Sequence, residues 1–151
     1  MKKLILLSVL GLVTLSSNAQ SIILTSPADP TNGLISPALN TVINNDTITY
    51  CSEDMFAVFE DGKISVINNT GSPMGVEVKR FADQYACFSL NQFCWTICYN
   101  PATSVSPDSI NIPAGDTSIA FHGWATPDGN EGCCFIKYRF YNVMDTTQYA
   151  E

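Results

Sequence analysis

The stretch with the richest side-chain chemistry is FCWTICY, residues 93–99, in which Cys94 and Cys98 are separated by three residues. Paired thiols can form a disulfide, hold a metal ion or carry out redox chemistry. Zinc would recruit His122, the single histidine, but the sequence lacks the paired C-x-x-C knuckles of common structural zinc sites. Thioredoxin-like chemistry needs C-x-x-C beside a βαβ pattern, and here the spacing has one residue too many. We predict a structural disulfide, with no metal and no cofactor.

The chain has six cysteines: Cys51, Cys87, Cys94, Cys98, Cys133 and Cys134. An oxidising compartment would allow three disulfides, in any of 15 connectivities. A straight strand would hold the Cα atoms of Cys94 and Cys98 roughly 13 Å apart, whereas a disulfide needs them within about 7 Å. That bond therefore requires a turn, and it is our first preference. The last two cysteines are adjacent and point to opposite faces of a strand, so we expect each to pair with one of the first two.

The N-terminal sequence predicts export. Lys2 and Lys3 precede an apolar run over residues 4–15, which is too short to span a bilayer. Small or polar residues follow it and suit cleavage after Ala19. We predict a signal peptide over residues 1–19, an extended leader over residues 20–45 and a folded domain over residues 46–151. The mature chain is expected outside the cell, on its surface or in the periplasm, without membrane insertion.

Charge excludes some classes of partner. The chain has 7 Lys and Arg against 14 Asp and Glu, a net charge of −7, and the signal peptide contains two of those basic residues. Such an acidic protein repels nucleic acid and anionic lipid. We therefore expect no nucleic-acid partner.

The rest of the sequence is typical of an all-β protein. Short segments rich in β-branched and aromatic residues alternate with turn signals such as residues 61–62, 68–73, 113–116 and 127–130. This pattern predicts an antiparallel β-sandwich of about seven to nine short strands. The predicted strands are residues 46–51, 55–60, 63–68, 74–80, 85–90, 93–98, 109–112, 117–121 and 133–141.

Alternation assigns faces to two of these strands. Met74, Val76 and Val78 share one face of residues 74–80, and this face should be buried. In residues 133–141 we expect Lys137 and Arg139 to point to water. The intervening side chains, including Tyr138 and Phe140, then face the core.

Five sequence elements occur in a characteristic order: VEVKR, FCW-x-x-CYNP, SPDSINIPAGDTSIAFHG, TPDGNEG and FIKYRFYNVMD. Over about residues 60–150 this order resembles the immunoglobulin-like β-sandwich domains of secreted proteins from gliding and gut-type Gram-negative bacteria. Those domains commonly precede a sorting domain of the type IX secretion system. The resemblance implies export and an immunoglobulin-like fold, with Cys94 and Cys98 matching the family's cysteine pair and Gly115 its turn glycine. The other four cysteines are not part of that pattern.

The sequence gives little support for catalysis. A Ser–His–Asp triad would have to use His122, which we expect to end a strand at the surface, and the nucleophile pattern G-x-S-x-G is absent. Asp128 and Glu131 lie near Trp124, but in a turn where such residues are favoured for backbone reasons. That stretch is also too short for a dedicated calcium loop. We predict that the protein is not an enzyme, and a hydrolase is a weak rival.

Aromatic residues are the better candidates for contact with a partner, because they dominate binding hot spots. The candidates are Trp124, Tyr99, Trp95 and Tyr85. For Trp95 we favour packing over the disulfide inside the core. Trp124 is predicted to lie in a loop.

Several Asp residues precede Ser or Thr in a pattern that resembles the O-glycosylation acceptors of the same bacterial group. The acceptor candidates are Thr47, Ser109 and Thr146. An ordinary explanation is that Asp followed by Ser or Thr suits turns and strand starts.

These observations predict an exported, non-enzymatic module that interacts with an unknown protein or glycan at the cell surface, or has a structural role there. One alternative is a carbohydrate-binding module that uses Trp124 and Tyr99. Another is a subunit of a surface assembly, because residues 146–151 resemble the start of a strand that another chain would complete.

Overall fold

The computed structural model describes residues 20–26, 34–36, 41–46, 49–50, 59–81, 90–126 and 136–151. Within these residues no helix is long and apolar enough to cross a membrane. The strands are β1 (Ile22–Thr25), β2 (Leu34–Ser36), β3 (Thr49–Tyr50), β4 (Phe59–Asn68), β5 (Met74–Phe81), β6 (Leu90–Cys94), β7 (Ile110–Ile112), β8 (Thr117–Thr126), β9 (Lys137–Asn142) and β10 (Asp145–Ala150).

Eight of these strands form two antiparallel sheets. The first sheet has the order β1-β4-β8-β6 and the second the order β10-β9-β5-β7, while β2 and β3 form a separate pair. The predicted all-β antiparallel sandwich is therefore confirmed.

The core lies between the inner faces of the two sheets. Met74, Val76 and Val78 of β5 are buried as their alternation predicts. From β9, Phe140 packs against Phe121 of β8 with ring centroids 5.0 Å apart. Strict alternation thus placed β5 to within one residue.

Asp61 and Gly62 do not form the predicted turn. A single strand, β4, runs through them, and its register shifts between Phe59 and Gly62. Gly62 lies opposite Gly123 of β8, and a Cβ atom on Gly62 would stand 3.4 Å from the carbonyl oxygen of Gly123. The glycine here marks an irregularity in a continuous strand and a close approach of two backbones.

Strand β8 continues past its predicted end at residue 121 to Thr126. Consequently His122 does not end a strand and Trp124 does not lie in a loop. Gly123 faces the core, where a Cβ atom would stand 3.3 Å from the hydroxyl oxygen of Tyr138. A residue that usually interrupts a strand instead leaves room for that phenol.

One open side of the sandwich is closed by residues 41–46. Ile43 is buried and its N–H donates to the carbonyl oxygen of Leu24 in β1, while the N–H of Asn45 donates to the carbonyl oxygen of Glu151 after β10. This short segment therefore joins the edge of the first sheet to the edge of the second. Strand β1 and all but the last residue of this segment lie within residues 20–45. The stretch expected as a leader therefore supplies part of the sandwich.

The opposite side is closed by residues 99–106. The N–H of Tyr99 donates to the carbonyl oxygen of Phe93 in β6. Further along, the N–H of Ser106 donates to the carbonyl oxygen of Val78 in β5, and the N–H of Arg80 donates to the carbonyl oxygen of Ser104. The segment thus crosses from β6, at the edge of the first sheet, to the part of β5 that extends beyond its pairing with β7.

Candidate functional site

The turn after β6 contains the disulfide. Cys94 and Cys98 are bonded, and their Cα atoms are 3.8 Å apart. The N–H of Trp95 donates to the carbonyl oxygen of Ile97, which closes the turn. The predicted staple is confirmed, and its sulfurs are not available as thiolate ligands. Among the residues that the structure describes, no group of three His, Cys, Asp or Glu side chains is arranged to hold a metal.

Two of the aromatic ligand candidates are structural. Trp95 is only 2% exposed, its indole N–H donates to the carbonyl oxygen of Val76 at 2.8 Å, and its ring packs edge-on against Phe140. Tyr99 is also buried, and its hydroxyl shares a 2.7 Å hydrogen bond with that of Thr96. Neither ring presents a face to solvent. The predicted core position of Trp95 is confirmed, and the ring of Tyr99 is likewise packed inside the sandwich.

His122 and Trp124 lie in the middle of β8. The Cα partners of His122 are Cys94 on β6 and Lys63 on β4, and Trp124 is opposite Gln92. Trp124 is half-buried, and its buried indole nitrogen has no hydrogen-bond partner among the residues that the structure describes. Trp124 is therefore a half-buried strand residue and not an exposed residue of a loop.

Several predicted residues lie outside the described residues. They are Cys51, Cys87, Cys133, Cys134, Tyr85, Thr47, Asp128, Glu131 and residues 1–19. Their expected roles stay predictions.

The two described glycosylation candidates, Ser109 and Thr146, are exposed. Two Asp residues of this pattern form hydrogen bonds with the residues that follow them. A carboxylate oxygen of Asp145 accepts hydrogen bonds from the N–H and hydroxyl of Thr147, and these bonds hold the pKa of Asp145 below its ordinary value. Asp116 likewise accepts from the N–H of Thr117 at the start of β8. Both Asp residues therefore take part in turn hydrogen bonds, and the bonds at Asp145 involve Thr147 and not the acceptor candidate Thr146.

Arg80 is a buried cation at the inner face of β5. Its guanidinium donates to the carbonyl and side-chain oxygens of Asn91 on β6, and to the carbonyl oxygen of Pro101. Its charge lies 5.9 Å from the ring centroid of Phe93. Arg80 therefore links the second sheet to the edge of the first and to the segment that crosses between them.

Tyr138 lies opposite Arg80 on β9, and within the described part of the chain its buried hydroxyl has no hydrogen-bond partner. Burial raises the pKa of Tyr138 well above its ordinary value, while the positive charge of Arg80 acts in the opposite direction. The phenol is thus held neutral over the backbone of Gly123.

The outward-pointing side chains of β5, β9 and the end of β10 form a surface that we call the outer face. Its residues are Glu77, Lys79, Phe81, Lys137, Arg139, Tyr141, Tyr149 and Glu151. The register places Lys79 directly opposite Arg139, and Phe81 opposite Lys137.

Cations converge on aromatic rings of the outer face. The side-chain nitrogens of Lys79 and Lys137 lie 4.9 and 5.8 Å from the ring centroid of Phe81, and the guanidinium of Arg139 lies 5.2 Å from it. The same guanidinium lies 4.3 Å from the ring of Tyr149, which is 41% exposed. These distances fall within the range of attractive cation–π contacts.

Two carboxylates share the outer face with these cations. Glu151 forms ion pairs with Lys137 and Arg139. Burial raises its pKa, but the hydrogen bonds and charges of these two partners outweigh that effect and hold the pKa below its ordinary value. Glu77 accepts a 2.6 Å hydrogen bond from the hydroxyl of Tyr141. Burial, together with that bond and the negative charge of Glu77, raises the pKa of Tyr141 to about 12.

Sequence reasoning named only part of this surface. Alternation predicted that Lys137 and Arg139 point outward, but it did not connect them to Phe81 or to Tyr149. The signal was available in the spacing of Lys79 and Phe81, which share a face of one strand. The position of Tyr149 depends on the hairpin between β9 and β10. The predicted strands end at residue 141 and do not include this hairpin.

Comparisons with known proteins add no identification, because no protein-family model, no curated protein and no solved structure matches this chain.

Proposed function

We propose that this protein is an exported, non-enzymatic β-sandwich module that acts at the cell surface or outside the cell as an interaction or structural protein. The observation that carries the proposal is the disulfide between Cys94 and Cys98. Disulfides persist in oxidising compartments and are rare in the cytosol. This agrees with the signal-peptide pattern over residues 1–19.

A non-enzymatic role is supported by the surroundings of the single histidine. Across the strands, His122 has Cys94 as its Cα partner, and the sulfur of Cys94 is bonded to Cys98. A thiolate–imidazole pair, which is one way to activate a nucleophile, is therefore not available at this position.

Our proposal includes secretion by the type IX system and O-glycosylation at one or more of Thr47, Ser109 and Thr146. The first part is supported by the resemblance of residues 60–150 and the second by the exposure of Ser109 and Thr146.

The alternative based on strand complementation has less support. Strand β10 pairs with β9, and the carbonyl oxygen of Glu151 after it accepts from the N–H of Asn45. The chain's own Asn45 thus already pairs with the residue that follows β10, at one end of the edge to which a strand would be added.

The test is the intact mass of the protein recovered from its native host, with and without a thiol-alkylating reagent, before and after reduction. We expect a chain that begins at Gln20, that is alkylated only after reduction, and whose extra mass reports any glycan. A chain that retains residues 1–19 would overturn export. Free thiols at Cys94 and Cys98 without reductant would overturn the staple.

The non-enzymatic part needs its own assay. The purified protein is incubated with a panel of glycosides, esters and peptides and with a serine-reactive probe. We expect no turnover and no labelling. Turnover that disappears in an His122→Ala variant would show that the protein is a hydrolase.

A further inference from the structure

The charge of the outer face differs from the average charge of the chain. The chain has twice as many acidic as basic residues. On the outer face the ratio reverses, with three cations, Lys79, Lys137 and Arg139, against two carboxylates. An anionic partner would be repelled by the molecule as a whole and attracted here.

The carboxylates already present do not neutralise this surface evenly. Glu151 is shared between Lys137 and Arg139, and Glu77 accepts the hydroxyl of Tyr141. Lys79 is exposed and, among the described residues, is within 4 Å of no carboxylate oxygen. Three cations around one ring repel each other, so a further anion beside Lys79 would relieve that repulsion.

Aromatic rings lie in the same surface as the cations. Phe81 is partly exposed and Tyr149 is 41% exposed at the outer strand of the sheet. The faces of such rings carry negative potential and suit the apolar C–H face of a sugar ring. Rings and cations side by side on a flat sheet therefore match a ligand with alternating apolar faces and carboxylates.

We infer that the outer face binds an acidic polysaccharide, in which sugar rings contact Tyr149 and Phe81 while carboxylates pair with Lys79 and Arg139. The spacing of the cations suits a polymer with repeated carboxylates. Lys79 and Arg139 lie opposite each other, on strands whose axes are about 4.8 Å apart. A polymer can therefore meet cations and rings on successive strands. This inference rests on the proposed role as an interaction module and names the class of its partner.

The first experiment measures binding of the full mature chain to polygalacturonate, with dextran as the neutral comparison and poly-glutamate as an acidic polymer without sugar rings. We expect binding to polygalacturonate that weakens as sodium chloride is raised, and none to dextran. Equal or tighter binding to poly-glutamate would assign the face to acidic peptides and overturn the inference. Failure to bind polygalacturonate at low salt would overturn it as well.

Variants locate the site. Lys79→Gln and Tyr149→Ala should each weaken binding to polygalacturonate about three- to tenfold. Lys63→Gln is the matched control, because it makes the same charge change on β4 of the other sheet. Thermal melting verifies that each variant is folded. Undiminished binding in Lys79→Gln and Tyr149→Ala, or an equal loss in Lys63→Gln, would show that the outer face is not the site.

The readouts separate this inference from the proposed function. If the polysaccharide is not bound but the intact-mass experiment gives an exported, disulfide-bonded chain, only the identity of the partner is wrong. If the polysaccharide becomes shorter during incubation, as size-exclusion chromatography would show, the non-enzymatic role is wrong.

Discussion

Arg80 and Lys79 are neighbours with opposite environments, which makes them a matched pair for mutation. Arg80 is buried and hydrogen-bonded to Asn91 and Pro101, whereas Lys79 is exposed on the outer face. We predict that Arg80→Ala lowers the free energy of unfolding by about 2–4 kcal/mol, because the partly buried acceptors on Asn91 and Pro101 lose a buried, charged donor. Lys79→Ala should change it by less than about 0.5 kcal/mol.

Urea denaturation of both variants measures the difference. Arg80→Lys is the informative third variant, since it keeps the charge but cannot make the forked set of hydrogen bonds. We expect it to be intermediate. Equal stabilities of the Arg80→Ala and Lys79→Ala variants would show that Arg80 does not link the sheets.

Glu151 should make stability depend on acid. Its folded-state pKa lies below the ordinary 4.5, because the hydrogen bonds from Lys137 and Arg139 outweigh the effect of burial. A depressed carboxyl pKa stabilises the fold above the unfolded-state pKa, and that contribution is lost as pH falls through the folded-state pKa. We predict that the protein is more stable than its Glu151→Gln variant at neutral pH and that this advantage shrinks below about pH 4.5.

The measurement is the urea midpoint of both proteins at a series of pH values from about 7 to about 2.5. A difference between them that stays constant over this range would contradict the ionic role of Glu151. Replacing both Lys137 and Arg139 by Gln should reduce the same acid-dependent component, since the partners of the carboxylate are then neutral.

At the scale of elements, the turn between Cys94 and Cys98 is stabilised by hydrogen bonds as well as by the disulfide. Backbone hydrogen bonds join Trp95 to Ile97 and Tyr99 to Phe93, and the indole of Trp95 is anchored to Val76. The loop closed by the disulfide is short, so removal of the disulfide should lower the free energy of unfolding by only about 2 kcal/mol. We predict that a Cys94→Ala/Cys98→Ala variant remains folded and is less stable by about that amount.

Thermal and urea unfolding of this double variant test the prediction, with Trp95→Phe as the comparison. Trp95→Phe keeps a smaller aromatic ring and leaves the carbonyl oxygen of Val76 without its donor, and the lost hydrogen bond should cost about 1–3 kcal/mol. A double variant that is unfolded at room temperature would mean that the disulfide, and not the buried aromatic, organises this turn.

The elements also show what sequence could and could not predict. Strand β5 was predictable because its alternation has a single meaning when one face is buried, and the turn at Cys94 and Cys98 followed from the reach of a disulfide. The Asp61-Gly62 pair predicts a turn because its local chemistry favours one. The pairing of Gly62 with Gly123 decides otherwise, and this contact joins residues far apart in sequence. The same holds for Tyr149, whose neighbour Arg139 is fixed by strand register.

At the scale of the whole molecule, two short segments make two sheets into one closed unit. Residues 41–46 join β1 to the end of β10, and residues 99–106 join β6 to β5. Exposed strand edges invite pairing with other chains, and these segments satisfy edge groups from within the chain. The stretch expected as a leader therefore supplies one of the two segments that connect the edges of the sheets and close the sandwich.

A chain shortened to begin at Asp46 tests this view. It would lack Ile22, Leu24 and Ile43, all nearly fully buried. Burial of such side chains stabilises a fold by about 1.5–3 kcal/mol each, and three of them approach the whole stability of a typical domain, about 5–15 kcal/mol. We predict that the shortened chain does not unfold cooperatively, whereas the chain that begins at Gln20 does.

Point variants in the full mature chain separate packing from mere length. Ile43→Ala should cost about 2–5 kcal/mol, because it leaves a cavity where the two sheet edges meet. Its neighbour Val42 is 59% exposed, so Val42→Ala should have little effect. If the chain that begins at Asp46 melts as sharply as the longer one, and Ile43→Ala matches Val42→Ala, then residues 41–46 lie against the sandwich without closing it. The open edge of β10 would then return as a place for another chain to add a strand.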